Sequence, residues 1–250
     1  MDDREYLKKR FMDLSRTSFE RDIYTFTDFL TMDELTALHE CTKDLYGKFT
    51  LFGGYDEAER CMARFGSYEQ TGYEQDFPIV CVHISPLQQK FAQALNHRDF
   101  LGSLMNLGIE RSKLGDIVIK DDSAYVFAMD TIANLICNEL TRVKNTSVMG
   151  KIIEDAGDIP RPQLMDVKIQ IKSERLDAVI AKTYNLSRSQ SAELFAAQKV
   201  FVGGRLTENE SYVPKPGDVI SVRGCGKFRY EGVEGTSRKG NLYAAIKKYV

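Results

Sequence analysis

The chain has little of what most enzymes and exported proteins display. Its three histidines are joined by no His-Glu-x-x-His or His-x-His spacing, so the common helical metal-ligand pattern is absent. Its five cysteines, Cys41, Cys61, Cys81, Cys137 and Cys225, are odd in number and form no Cys-x-x-Cys pair. That argues against a disulfide framework or a zinc knuckle and for buried free thiols. No run approaches the roughly 20 apolar residues of a membrane helix. The opening Met1-Asp2-Asp3-Arg4-Glu5 leads into no apolar core of signal-peptide length. The expectation is a cytoplasmic protein with no membrane, metal or cofactor. Neither a P-loop nor a Gly-x-Ser-x-Gly elbow occurs. Ile84 is followed by Ser85-Pro86-Leu87, not by the glycine-rich loop of a methyltransferase.

What is present is an ordinary globular composition, 43% hydrophobic and 28% charged over 250 residues, enough for two domains or one large one. The net charge of −2 hides an asymmetry. Residues 173–250 hold 13 Lys and Arg against 8 Asp and Glu, a net +5, which leaves 21 against 28, a net −7, for the remainder. A basic module on an acidic body suits a polyanion partner, because phosphate binding needs local positive charge.

Three regions are expected: 1–77, 78–172 and 173–250. The first is a mixed, mainly helical segment. Tyr6, Leu7, Phe11 and Leu14 follow helical spacing, and Thr31-x-x-Glu34 forms a capping box before Leu35 and Leu38. After the Gly53-Gly54-Tyr55 turn, Asp56 to Arg64 reads as a short charged helix. In the second region, Ile79 to Ile84 is a buried strand, with Ser85-Pro86 as N-cap and first residue of a helix over Leu87 to Leu95. Further helices are expected from Asp99 to Leu107, with Asp99 as N-cap, and from Ile132 to Leu140. Ile117-Val118-Ile119 and Tyr125-Val126-Phe127 flank a hairpin turn, and strand material returns at Val148 to Ile153. This order predicts a split β-α-β sandwich. Tyr125 and Phe127 are candidates for base stacking, although alternating aromatics are more often core. Ala156 to Pro162 reads as a loop, and Met165, Val167, Ile169 and Ile171 alternate as one amphipathic strand.

The C-terminal region is the most informative. Leu176, Val179 and Ile180 give a short helix with one apolar face. Ser187-Arg188-Ser189-Gln190 is a capping box that opens a second helix through Ala197. Val200-Phe201-Val202-Gly203-Gly204-Arg205-Leu206 is a hairpin whose Gly-Gly supplies positive φ. Lys215-Pro216-Gly217-Asp218 turns into Val219-Ile220-Ser221-Val222. Arg188, in the first turn of its helix, lies beside amides with no intrahelical partner, where a phosphate can dock. Arg175, Lys199, Arg205, Arg223, Lys227 and Arg229 extend the candidate positive surface, each individually compatible with a solvated charge.

These residues resemble the S-four domain, a small RNA-binding module. The resemblance rests on Arg175-Leu176-Asp177, Ser187-Arg188-Ser189, Lys199 to Gly204 and Lys215 to Ile220. One departure is Gly203, where the family usually has asparagine; glycine takes the same left-handed conformation but loses a side-chain contact. Gly53-Gly54-Tyr55, Glu59-Arg60, His97 to Gly102, Asn106 to Ile109 and Gly115-Asp116-Ile117 extend the likeness, over nearly the whole chain, to the bacterial YlmH family. The resemblance implies an α+β protein with a mainly helical N-terminal segment, a central RNA-recognition-like split β-α-β sandwich and a C-terminal S-four domain of two helices and a small antiparallel sheet. Its RNA-binding set would be Arg175, Ser187, Arg188, Ser189, Gln190, Lys199, Gly203, Gly204, Arg205, Arg223 and Lys227. The implied partners are structured RNA, with large-subunit ribosomal RNA first and tRNA second, and the large ribosomal subunit itself. The implied setting is ribosome-associated quality control or rescue of stalled peptidyl-tRNA complexes, with a link to cell division.

His97-Arg98-Asp99 spells the start of a kinase catalytic loop, but Leu104 stands where that loop needs asparagine, and no Asp-Phe-Gly follows. The expectation is therefore a binding protein and not an enzyme. An RNA-modifying enzyme of pseudouridine synthase type, using the S-four domain for substrate binding, is the alternative. A structural adaptor in cell division is a third reading.

Overall fold

The computed structural model describes residues 3–56, 58–88, 95–153, 164–238 and 240–249. The chain divides into two compact units, Met1–Pro160 and Arg161–Val250. The loop expected over Ala156 to Pro162 lies outside the described residues.

The first unit opens with helix α1 (Asp3–Arg21). Its spacing places Phe11, Leu7 and Leu14 against Leu30, Leu35, Leu38 and Phe65, whereas Tyr6, expected on the same face, is 63% exposed. After β1 (Thr25–Phe26), helix α2 (Met32–Glu40) begins with the expected box. Thr31 Oγ1 accepts from the Glu34 amide at 3.3 Å, and Glu34 Oε2 accepts from the Thr31 amide at 2.7 Å. Strands β2 (Phe49–Phe52) and β3 (Met62–Phe65) join β1 in an antiparallel sheet of order β1-β3-β2. The helix expected over 56–64 does not form among its described residues. Met62, Ala63 and Phe65 are buried and the strand is paired on both edges, so tertiary pairing overrides the local charge pattern. A short helix, α3 (Tyr68–Thr71), follows.

Next come β4 (Ile79–Pro86), α4 (His97–Asn106), β5 (Leu114–Lys120), β6 (Ser123–Met129), α5 (Asp130–Glu139), β7 (Arg142–Val143) and β8 (Thr146–Ile153). The sheet order is β5-β6-β4-β8-β7 with every pair antiparallel. This is the split β-α-β arrangement with β7 as a small extra strand. One sheet face, through Val82, Ile84, Val126 and Ala128, packs on Phe100 and Leu104 of α4 and Ala133 and Ile136 of α5. The β5–β6 turn is Asp121-Asp122, with φ of 48° and 61°, as a two-residue turn of type I′ requires.

Two helix starts differ from expectation. Ser85 and Pro86 do not cap a helix; they continue β4 and pair with Met149 and Val148. A proline is tolerated there because it ends the ladder. Of the helix expected over Leu87 to Leu95, residues 89–94 lie outside the described residues, and Leu87 and Gln88 are not helical. Helix α4 is capped by Asn96, not by Asp99. Asn96 Oδ1 accepts from the Arg98 and Asp99 amides at 2.9 and 3.2 Å, and Asp99 Oδ2 accepts from the Asn96 amide at 3.0 Å. Asp99 is the third residue of a capping box.

The second unit consists of β9 (Leu164–Ile171), α6 (Leu176–Thr183), α7 (Arg188–Ala196), β10 (Val200–Val202), β11 (Arg205–Leu206), β12 (Val219–Val222), β13 (Gly226–Thr236) and β14 (Leu242–Tyr249). Its antiparallel sheet has the order β11-β10-β12-β13-β14-β9. Strand β9, expected in the central region, pairs with β14 from Leu164 opposite Tyr249 to Ile171 opposite Leu242. It therefore belongs to the C-terminal sheet. Ile169, Ile171, Phe228, Tyr230, Ala244 and Ile246 form a core with Leu176, Val179, Ile180 and Phe195 of the helices. All five cysteines are free thiols, and burial pushes the Cys81 thiol up to about 12. Among the described residues no helix is long and apolar enough to cross a membrane.

Candidate nucleic-acid interface

The starts of α6 and α7 lie together, because Ser191 Oγ in the first turn of α7 donates to the Asp177 carbonyl in the first turn of α6 at 2.9 Å. Arg175 and Arg188 therefore share one edge. They are not equivalent. Arg175 Nε and Nη2 donate to Asp177 Oδ1 and Oδ2, both at 3.0 Å, and Nη2 is 3.9 Å from Glu210 Oε2. The hydrogen bond to Asp177 and its charge hold the guanidinium above its ordinary value. Arg188 is exposed and has no carboxylate partner among the described residues. Ser187 and Gln190 serve the helix itself. Ser187 Oγ accepts from the Gln190 amide at 3.2 Å, and Gln190 Oε1 accepts from the Ser187 amide at 2.9 Å. Ser189 Oγ lies 3.0 Å from Ser187 Oγ. The box leaves the amides of Arg188 and Ser189 as donors without an intrahelical acceptor.

A second group gathers on the sheet. The Arg223 amide donates to the Lys199 carbonyl at 2.9 Å, which sets these two residues opposite each other where β10 and β12 meet. Arg223 lies over the Phe201 ring at 4.8 Å. Lys227, the register partner of Ser221 on β12, lies over the Tyr249 ring at 4.6 Å. Such placements stabilise a cation and leave it at the surface. Arg205 follows the Gly203-Gly204 turn, whose φ values of 56° and 76° only glycine adopts freely. By register Arg205 is opposite Val202, on the helix side of the sheet, whereas Phe201, Ser221 and Lys227 share the other side. The candidate residues thus fall on two faces instead of one. Arg229 is held at 2.6 Å from Glu231.

Much of the recognisable signature builds the scaffold. Asp218 Oδ2 accepts from the Tyr212 hydroxyl at 2.7 Å and the Lys215 amide at 2.9 Å, so the Lys-Pro-Gly-Asp run is a side-chain-locked turn. The Tyr230 hydroxyl donates to Glu174 at 2.9 Å. In the first unit the same holds. Asp116 Oδ2 accepts from the Tyr55 hydroxyl at 2.8 Å and the Glu59 amide at 2.7 Å, and Oδ1 accepts from the Arg60 amide at 3.2 Å. Arg60 in turn donates to the carbonyls of Leu114 and Phe29 at 3.0 and 2.9 Å. Burial, together with the neighbouring Arg60 charge, pulls the Arg111 guanidinium down to about 10. A Cβ on Gly54 would lie 2.2 Å from Phe127 Cδ1, at a φ of +98°. These motifs join the N-terminal region to the central sheet. Asp99, the residue that invited a catalytic reading, accepts from Lys144 Nζ at 2.7 Å, and that bond holds its carboxyl below the ordinary value.

The sheet face opposite α4 and α5 separates the two stacking candidates. Phe127 is 1% exposed beneath Tyr55, whose ring is stacked on it at 4.7 Å. Tyr125 is half-buried and stacked on His83 at 4.5 Å and 17°. Sequence reasoning missed His83, because the two residues are brought together only by the β4–β6 register.

Two short helices with arginines at their starts, the second of them capped by Ser187, followed by a Gly-Gly hairpin, place the chain among RNA-binding proteins of the S-four type. Residues 174–220 match the model of the S4 domain, and residues 73–155 match one described as the putative RNA-binding domain in YlmH. The chain is 32% identical over 216 residues, 85% of its length and 82% of the relative's, to the ribosome-associated protein quality control protein P2 of Bacillus subtilis (strain 168). The chain belongs to the YlmH family and carries a C-terminal S4 domain. Its fold is also similar to that of the cell division protein ylmH from Streptococcus pneumoniae, with a TM-score of 0.51 and 18% identity over 64% of this chain and 96% of that one.

Proposed function

We propose that the protein is a non-catalytic, cytoplasmic RNA-binding factor that docks on ribosomal RNA of the large subunit, in ribosome-associated quality control or the rescue of stalled peptidyl-tRNA complexes. The observation that carries this reading is the exposed Arg188 at the start of α7, beside amides that favour an anion. The Bacillus relative, named for ribosome-associated quality control, supports the setting. The name of the pneumococcal neighbour supports the link to cell division. In this reading Arg188, Lys199, Arg205, Arg223 and Lys227 neutralise phosphates. Ser187, Ser189, Gln190, Gly203 and Gly204 hold the backbone that presents them, and Arg175 contributes once it is released from Asp177. The use of Asp99 in a capping box and an ion pair supports binding over turnover.

The test is sedimentation of cell extract through a gradient at low salt. The protein should travel with free large subunits more than with small ones. Exclusive recovery at the top of the gradient rejects the reading.

A further inference from the structure

We infer that the tip of the β13–β14 hairpin is a second point of RNA contact, where Arg238 and the neighbouring Lys172 take phosphates of a helical segment. The inference rests on the reading of the chain as RNA-binding, but both residues lie outside the stretches that match the two family models. Charge separates the hairpin from the matched motif. Residues 174–220 hold six Lys and Arg against six Asp and Glu, whereas 221–250 hold seven against two. The motif itself is neutral, and the whole positive excess of the C-terminal module lies in the stretch that carries the hairpin. From Gly235 to Val250 there is no acidic residue.

Strand β13 pairs with β12 only as far as Arg229, opposite Val219, while its pairing with β14 continues to Thr236, opposite Leu242. The outer part of the hairpin thus projects past β12. Its turn is pinned: the Ser237 amide donates to the Asn241 carbonyl at 2.7 Å, the Asn241 amide donates to Ser237 Oγ at 3.0 Å, and Gly240 takes a φ of 78°. Arg238 is exposed on this turn, with no carboxylate partner among the described residues. Cations further down the arm are engaged instead, Lys168 by Glu234 at 2.8 Å and Arg229 by Glu231 at 2.6 Å. Lys172 is exposed and, among the described residues, also without a carboxylate. It follows Ile171, the register partner of Leu242, and so stands beside the same turn. Three positions on is Arg175, at most about 11 Å away between Cα atoms, and Arg175 shares its edge with Arg188. The turn therefore lengthens that edge with charge that is available to phosphates. Residues 231–242 hold no aromatic ring on which an unpaired base could stack. The contact is accordingly to the backbone of a duplex and not to bases.

The test is filter binding of the full chain to large-subunit RNA across a salt series, with melting temperature as the control for folding. The double variant, Lys172→Ala with Arg238→Ala, should bind at least about tenfold more weakly. Its log-log salt slope should be shallower by roughly 1.4 to 1.8, two phosphates' share of counterion release. Arg238→Lys alone should keep the slope, because the charge remains. Unchanged affinity and slope in the folded double variant overturn the contact. Wild-type affinity for free RNA combined with loss of co-sedimentation with the large subunit also overturns it, since the hairpin then faces a ribosomal protein. Arg188→Ala is scored alongside. A defect there with none in the double variant removes the hairpin and keeps the helix edge, and the reverse result keeps the hairpin and removes Arg188. A wild-type chain that binds no RNA overturns both.

Discussion

Arg188 and Arg175 are both exposed arginines at a helix start, yet replacing them should have unequal effects on RNA binding. Arg175 already has a two-pronged carboxylate partner in Asp177, with Glu210 nearby. A phosphate must displace that pair, so the attraction between Arg175 and RNA is largely offset by the ion pair it breaks. Arg188 carries no such competitor among the described residues. A hydrogen bond to a charged group contributes about 1.5 to 3 kcal/mol. For a solvent-exposed arginine the low end applies, so Arg188→Ala should weaken binding about tenfold. The log-log salt slope should become shallower by about 0.7 to 0.9, one phosphate's share of counterion release. Arg188→Lys should recover part of the loss, since lysine keeps the charge without the planar fork. Arg175→Ala should cost less than about threefold, because an exposed ion pair already occupies the guanidinium. Asp177→Asn should tighten binding by freeing Arg175. Filter binding to large-subunit RNA across a salt series measures all four variants, with melting temperature as the control for folding. An Arg175→Ala defect larger than that of Arg188→Ala would refute the reasoning, as would unchanged affinity and slope in Arg188→Ala.

Three further outcomes test the scaffold. Asp116→Ala strips the acceptor from the Tyr55 hydroxyl and from two amides. It should destabilise the first unit by about 3 kcal/mol and lower its calorimetric melting temperature by roughly 6 to 12 °C, and an unshifted transition would show that this joint holds nothing. Gly54→Ala combines positive φ with a Cβ 2.2 Å from Phe127 Cδ1, whereas a Cβ on Gly203 meets nothing within 4 Å. Gly54→Ala should therefore cost several times the ~1 to 2 kcal/mol of backbone strain expected at Gly203, as read by denaturant midpoints. The Asp99 carboxyl has a lowered folded value, so its contribution to stability is complete above the unfolded value near 4 and fades as pH falls through the folded one. Lys144→Ala should raise the Asp99 titration midpoint toward the ordinary value in carboxyl NMR, and an unmoved midpoint would exclude the ion pair as its main cause.

What could be read from the sequence was what is decided locally. The boxes at Thr31 and Ser187 are short-range exchanges between a side chain and nearby amides, and both formed as expected. The same chemistry misled at Ser85-Pro86, where strand pairing with β8 prevailed, and at Asp99, where Asn96 made the cap. Strand β3 was hidden because its partners both lie before it in the chain and the charged run that leads into it imitates a helix. The β13–β14 hairpin was not read at all; its register slips near Gly232 and Gly235, which breaks the period-two pattern. At the candidate interface the residue types were legible and their division between two faces was not. One signal was available: the carboxylate that engages Arg175 stands two residues further on, inside the same motif.

The pairing of β9 with β14 means that the strand opening the C-terminal unit closes against the last one, Leu164 facing Tyr249. Everything between them, including the two helices and the glycine hairpin, is enclosed by a single long-range closure. Such a closure forms late, because the ends must meet against the entropy of the intervening chain. It also ties distant parts into one cooperative block. A fragment starting at Ser173 would contain the whole matched motif of 174–220 and still lack the partner of β14. Its free edge would be a template for pairing with other chains. The segment that identifies the module is thus shorter than the segment that folds it.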